Sequence, residues 1–132
     1  MYEIAIQAGF SAAHAVTIAG RPEAPHDHDW TVTVRLGGER LDDDGLLCDF
    51  HAAGHVLGEI VGSLHKRDLN RTPPFDRTNP SAERVARFIA ERFDHQFIEI
   101  GLAPAGVHVM SVSVTEAPGC VATFRPGGTA RR

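Results

Sequence analysis

Two long segments of this chain alternate apolar and polar residues with a period of two. The first runs from Tyr2 to Phe10 and the second from Trp30 to Leu36. Such alternation is typical of half-buried β-strands, because successive side chains of a strand point to opposite faces. Further strands are predicted over Leu46–Phe50, over Val112–Glu116 and over Val121–Phe124.

The hydrophobic period changes to that of a helix between residues 51 and 64. A long polar loop, Lys66–Thr78, follows. A second helix is predicted with Asn79 as its N-cap and Pro80 at its first helical position. Its apolar face consists of Val85, Phe88, Ile89 and Phe93. Hairpin strands with two amphipathic helices predict an α+β fold, an antiparallel sheet with the helices on one face.

The length and charge of the chain narrow the classes of protein it can belong to. Its 132 residues fit one domain, predicted over residues 1–125, with a flexible tail over residues 126–132. With a net charge of −4, the chain has no excess of positive charge that would indicate nucleic-acid binding. No leader or membrane-spanning run is expected. Two cysteines far apart do not make a disulfide framework, so a cytoplasmic location is the expectation.

Three histidines are the main candidate functional residues. His26 and His28 are two apart, so on a strand both point to one face, and His14 ends the preceding strand. A hairpin would bring the three imidazoles together. Three such ligands suit a catalytic zinc ion, because they leave the fourth tetrahedral position open. The alternative is that they are ordinary surface or capping histidines, since the chain has eight histidines.

Six short motifs, in order along nearly the whole chain, resemble those of the 6-pyruvoyl-tetrahydropterin synthase / 6-carboxy-tetrahydropterin synthase family. The first resembles the family's F-S-A-x-H, and the second resembles H-G-H followed by a polar and an aromatic residue. The motifs are Phe10–His14, His26–Trp30, Asp49–Phe50, Leu69–Asn70, Asn79–Glu83 and Thr115–Glu116.

The resemblance implies the tunnelling (T) fold, a four-stranded antiparallel sheet with two helices on one face. It implies a homohexamer of two stacked trimers, which would cover exposed sheet edges. His14, His26 and His28 match the family's zinc ligands, although Asp27 replaces the usual glycine. Glu116 matches the carboxylate that anchors the pterin, since a carboxylate accepts two N–H groups from its guanidine-like edge. The implied substrate is 7,8-dihydroneopterin triphosphate or a related pterin.

The chain departs from the family at its catalytic positions. Pro22 stands where the family has a catalytic cysteine, and Glu23 beside it is the nearest candidate base. The alternative for Glu23 is an exposed loop residue. With the loop aligned on Leu69–Asn70, His65 takes the place of the family's aspartate and Lys66 that of its histidine. His65 is a candidate acid or base, or else part of a solvated helix C-terminus.

Three functions remain open on these residues. The first is a zinc-dependent pterin lyase, and the second is a T-fold protein that binds zinc and a pterin with lost or altered catalysis, including aldol cleavage. The third is a small cupin, another metal-binding β fold with His-x-His. The two amphipathic helices argue against the cupin, which has more strands and less helix.

Overall fold

The computed structural model describes residues 1–127 as an α+β domain. Its helices are α1 (Phe50–Gly62) and α2 (Ala82–Phe93), followed by a π-helical turn, Asp94–Glu99. Its strands are β1 (Tyr2–His14), β2 (Thr17–Ile18), β3 (Arg21–Pro22), β4 (His26–Gly38), β5 (Arg67–Asp68), β6 (His108–Ala117) and β7 (Cys120–Phe124). Of the tail predicted over residues 126–132, residues 128–132 lie outside the described range.

The main sheet has the strand order β5-β1-β4-β6-β7. β1 and β4 pair antiparallel over their whole length, from Tyr2 opposite Gly38 to His14 opposite His26. β6 and β7 continue the antiparallel pattern, so the four predicted antiparallel strands are present. The two-residue β5 adds a fifth strand, parallel to β1 at its edge. Separately, β2 and β3 form a small hairpin.

Both helices cover one face of the sheet, with α1 packed against β1 and α2 against β6. The alternation predicted from the sequence selects that face, because Phe10, Trp30, Val32 and Val112 are buried beneath the helices. The ends of β1 and β6 and the start of β4 lie side by side at one end of this helix-covered sheet.

Within residues 1–127, neither helix is long and apolar enough to cross a membrane.

The prediction of a strand over Leu46–Phe50 is wrong. Residues 46–49 are a loop and Phe50 is the first residue of α1; just before it, Asp42 Oδ1 accepts hydrogen bonds from the backbone N–H of Asp44 and of Leu46. Leu47 and Cys48 are buried, and helix α1 then begins with the side chain of Asp49 as its cap. A short apolar run identifies buried residues, but it does not tell a strand from a buried loop.

The predicted cap of the second helix is also wrong. Ser81 is the N-cap, and its side chain accepts a hydrogen bond from the backbone N–H of Arg84 at 3.3 Å. Asn79 instead hydrogen-bonds the backbone of Thr17. Asparagine and serine both suit an N-cap, so a tertiary partner decided which of them caps the helix.

Candidate metal centre

The β1–β4 hairpin brings the three predicted histidines together at one end of the sheet. His14 lies directly opposite His26, and His28 follows on the same face of β4. Glu116, near the end of β6, extends toward them. Its Oε1 lies 2.5 Å from Nε2 of His14, 3.4 Å from Nε2 of His28 and 3.6 Å from Nε2 of His26.

These four ligand atoms all lie within 4.8 Å of one another, so the group is able to hold a metal ion. We call His14, His26, His28 and Glu116 the imidazole group. Tetrahedral nitrogen ligands of zinc are about 3.3 Å apart, given their usual distance from the metal. The separations of Glu116 from His28 and His26, 3.4 and 3.6 Å, are close to that value, whereas its separation from His14, 2.5 Å, is shorter.

Backbone carbonyls fix which ring nitrogen of two histidines faces the group. His14 Nδ1 lies 2.8 Å from the carbonyl oxygen of Pro80, and His26 Nδ1 lies 3.1 Å from that of Ala24. A carbonyl only accepts, so each Nδ1 carries a proton, and in the neutral ring each Nε2 has a lone pair directed into the group. Metal-ligating histidines are usually oriented by such a bond from the other nitrogen.

The Nε2 atom of His14 is the feature of the group that best fits a bound cation. It is fully buried, and no described residue donates a hydrogen bond to it. Its near neighbour is a carboxylate oxygen of Glu116, so two acceptors face each other. A cation bound at His14 Nε2 would remove this conflict, and a donor set of three imidazoles with a carboxylate nearby suits zinc.

The surroundings of His28 favour its neutral form. Burial lowers the pKa of His28, and the neighbouring His26 imidazole adds to that shift, although Glu116 opposes it. A neutral imidazole is the form that binds a metal.

Trp30 packs its ring edgewise against His14 at 4.9 Å between centroids and donates its indole N–H to the carbonyl of Ala12.

Glu23 lies beside the imidazole group, although it is not one of the four convergent residues. Its Oε1 is 3.6 Å from Nε2 of His26 and accepts a hydrogen bond from the backbone N–H of Val16 at 3.1 Å. The backbone N–H of Glu23 in turn donates to the carbonyl of Val16 at 3.0 Å. The carboxylate is therefore held in place while remaining one-third exposed.

His65 is not brought into the imidazole group. Its exposed ring contacts β1, where its Nδ1 accepts a hydrogen bond from the backbone N–H of Ser11 at 3.1 Å. Lys66 donates its own N–H to the carbonyl of Ser11. Pro22, at the position of the family's cysteine, lies exposed in β3 opposite Thr17.

The imidazole group is reachable from outside through an open cleft of about 440 Å³. The cleft is lined by Asp27, His28, Asp29, Thr31, Thr115, Glu116, Ala117 and Pro118. On the other side of Glu116, Cys120 and Glu83 line a second, shallower pocket. Glu116 thus borders both the histidines and the space in which a small molecule would sit.

Two features of this site were not predicted from the sequence. One is the Pro80 carbonyl as the partner of His14. The other is the contact of Glu116 with the histidines, since Glu116 was predicted only as a substrate ligand. Both depend on how the loop before α2 and the end of β6 meet β1. The only sequence signal was the motif Asn79–Glu83, which marks a place in the chain without naming its partner.

The fold and the imidazole group together define a class, a T-fold protein with a histidine-rich group that is able to hold a metal ion. The model of the 6-pyruvoyl tetrahydropterin synthase family matches residues 3–127, so the chain belongs to this family. It is 30% identical over 123 residues to the 6-carboxy-5,6,7,8-tetrahydropterin synthase of Bacillus subtilis, which covers 88% of this chain and 80% of that protein.

Solved structures of two family members resemble the chain in fold. The 6-pyruvoyl tetrahydropterin synthase of Caenorhabditis elegans gives a TM-score of 0.79 at 19% identity, over 96% of both chains. That of Plasmodium vivax gives a TM-score of 0.77 at 19% identity, over 93% of this chain and 96% of that one. At 19% identity, the likeness of these two structures to the chain supports a shared fold and nothing further.

Proposed function

We propose that this chain is a zinc-dependent enzyme of tetrahydropterin synthesis that acts on 7,8-dihydroneopterin triphosphate or a related pterin. The observation that carries the proposal is the convergence of three imidazoles and a carboxylate around the buried Nε2 of His14, which has no hydrogen-bond donor among residues 1–127. The name of the Bacillus subtilis relative supports a pterin as the substrate.

In this proposal His14, His26 and His28 hold the metal through their Nε2 atoms. Bound there, zinc would act as a Lewis acid that polarises the side-chain oxygens of the pterin and acidifies the adjacent C–H bond. The protein contributes the orientation of the rings, through the carbonyls of Pro80 and Ala24. It also contributes a partly enclosed site in which charges interact more strongly than in water.

Glu116 anchors the pterin ring in this proposal. A carboxylate accepts two N–H groups from a guanidine-like edge, which fixes both position and orientation. Two facts about this residue support the role: it lines the cleft, and its side chain is about one-quarter exposed. An anchored ring places its side chain toward the histidines, so that the reacting carbon is held near the base.

Glu23 is the proposed base that takes the proton from the pterin side chain. Its carboxylate is next to His26 and is held by Val16, so it is positioned without being neutralised by a cationic side chain. Two solved variants of the Plasmodium vivax protein are described as mutants of a catalytic residue, a glutamate replaced by alanine or cysteine. That description supports a carboxylate base in a relative.

His65 is the proposed catalytic hydrogen-bond donor. Its Nδ1 lone pair is engaged by Ser11, so the neutral ring carries its proton on Nε2 and can donate a hydrogen bond to a substrate oxygen without losing that proton. The same bond leaves it no free lone pair with which to act as a base.

A second candidate function is binding of zinc and a pterin without turnover. Pro22 has no acid–base chemistry at the family's cysteine position, and His65 is docked on β1 rather than in the imidazole group. These two observations favour a pterin-binding protein with lost or altered catalysis.

We propose further that the chain assembles as a homohexamer of two stacked trimers in the cytoplasm. β7 is an edge strand of the sheet and its Val121 is 60% exposed, so pairing with another subunit would cover it. Cys48 and Cys120 are both unpaired, which suits a reducing compartment.

The test is incubation of zinc-loaded protein with 7,8-dihydroneopterin triphosphate, followed by mass spectrometry of the products. Loss of triphosphate, or formation of 6-pyruvoyl- or 6-carboxy-tetrahydropterin, is the expected result. Unchanged substrate in the presence of stoichiometric bound zinc would overturn the enzyme proposal and favour the binding protein. Failure to bind zinc would overturn both.

A further inference from the structure

The two asparagines of this chain bind the same short segment of backbone in the same way. Asn70 accepts from the N–H of Ala15 at 2.7 Å and donates to its carbonyl at 3.0 Å. Asn79 accepts from the N–H of Thr17 at 2.7 Å and donates to its carbonyl at 2.9 Å. Each side-chain amide thus takes the place that a neighbouring strand would occupy.

The residue between them is bound by the proposed base. Val16 donates its N–H to the Glu23 carboxylate and accepts the Glu23 N–H. Three consecutive residues, Ala15–Thr17, therefore have every backbone N–H and C=O group bound by a later part of the chain. The segment begins directly after His14, and it holds Glu23 on its other side.

Asn79 has a second connection to the site through its neighbour. Pro80 follows it, is buried, and accepts the Nδ1 proton of His14. The pair Asn79–Pro80 therefore contacts both the ring of His14 and the backbone three residues beyond it. A shift of this loop would move the ring acceptor and the segment together.

We propose that Asn70 and Asn79 are positioning residues that hold Ala15–Thr17 so that His14 Nε2 and the Glu23 carboxylate face the same point. This inference rests on the proposed function of the imidazole group as a metal site. An amide is suited to the task because it offers one acceptor and donors on a single planar group. Alanine would remove both bonds, and aspartate would keep only the acceptor.

The experiment compares Asn70→Ala and Asn79→Ala with the unaltered full chain. Zinc affinity is measured by competition with a chromophoric chelator, and the geometry of the site by the visible spectrum of the cobalt-substituted protein. Asp49→Ala is the matched control. It removes a side-chain cap of α1, and the chain entering α1 packs near Gly38, at the far end of β4 from His26.

We expect each asparagine variant to bind zinc about 10- to 100-fold more weakly, the effect usual for partners that orient metal ligands. Their cobalt spectra should also change. Asp49→Ala should lose stability toward denaturant and keep the zinc affinity and the cobalt spectrum. If the alanine variants do not fold, Asn79→Asp retains the Thr17 N–H bond, and its cobalt spectrum should still differ.

Unchanged zinc affinity and an unchanged cobalt spectrum in the folded asparagine variants would overturn the inference. That result differs from failure of the proposed function, in which the unaltered protein itself would bind no zinc at the imidazole group. A loss of stability with normal zinc binding would likewise assign the asparagines a purely structural role and overturn the inference.

Discussion

The Nδ1 atom of His14 lies 2.8 Å from the carbonyl oxygen of Pro80, a residue 66 positions later in the chain. This bond sets the tautomer of a fully buried ring and directs its Nε2 into the imidazole group. It joins the end of β1 to the loop before α2. The geometry of the imidazole group therefore depends on tertiary packing as well as on the histidines themselves.

Replacement of His14 tests the metal site directly. We expect His14→Ala to weaken zinc binding more than about 100-fold, because loss of a ligand exceeds loss of an orienting partner. Competition with a chelator measures this. His51→Ala is the control. Since His51 is exposed on α1, this variant protein should bind zinc with normal affinity. Normal zinc affinity in His14→Ala would contradict the assignment.

Replacement of Glu23 separates catalysis from metal binding. Glu23→Gln keeps an oxygen for the Val16 N–H but removes the basic carboxylate. We expect kcat to fall about 100- to 10,000-fold, the usual contribution of a general base, with zinc affinity unchanged. Glu91→Gln, which alters an exposed glutamate of α2 paired with Arg87, should leave kcat unchanged. A Glu23→Gln enzyme with normal kcat would exclude Glu23 as the base.

Glu116 has two candidate partners, a pterin and the metal, and one variant distinguishes them. If it anchors the pterin, Glu116→Gln should weaken pterin binding about 10- to 100-fold, as expected for a lost hydrogen bond to a charged group. Zinc affinity would then change little. The control is Glu3→Gln, at the start of β1 and paired with Arg35. A collapse of zinc affinity instead would make Glu116 a metal ligand.

His65 is tested by a variant that keeps its contact with Ser11. Asn places an acceptor oxygen where His65 has Nδ1, so His65→Asn can still bind the Ser11 N–H. We expect it to lower kcat about 100-fold through loss of the Nε2–H hydrogen-bond donor, with little change in the free energy of unfolding. His65→Ala should lower both kcat and the free energy of unfolding. Normal kcat in His65→Asn would leave the residue only a docking role.

Much of the fold was predictable from local patterns. The alternation in Tyr2–Phe10 and Trp30–Leu36 identified the two central strands and their buried face, because that face is decided residue by residue. Both helices were found from their apolar periodicity. The strand over Leu46–Phe50 was wrong, since a five-residue segment with four apolar residues is too short for its period to separate a strand from a buried loop.

The sequence by itself determined the three histidines and their common face, since strand periodicity and a hairpin suffice to bring His14 beside His26 and His28. Only the tertiary structure decided what surrounds them. The contacts from Glu116, Glu23, Asn79 and Pro80 join segments that are far apart in the chain or in irregular loops. Such contacts follow from how loops dock on a folded sheet, which no local period records.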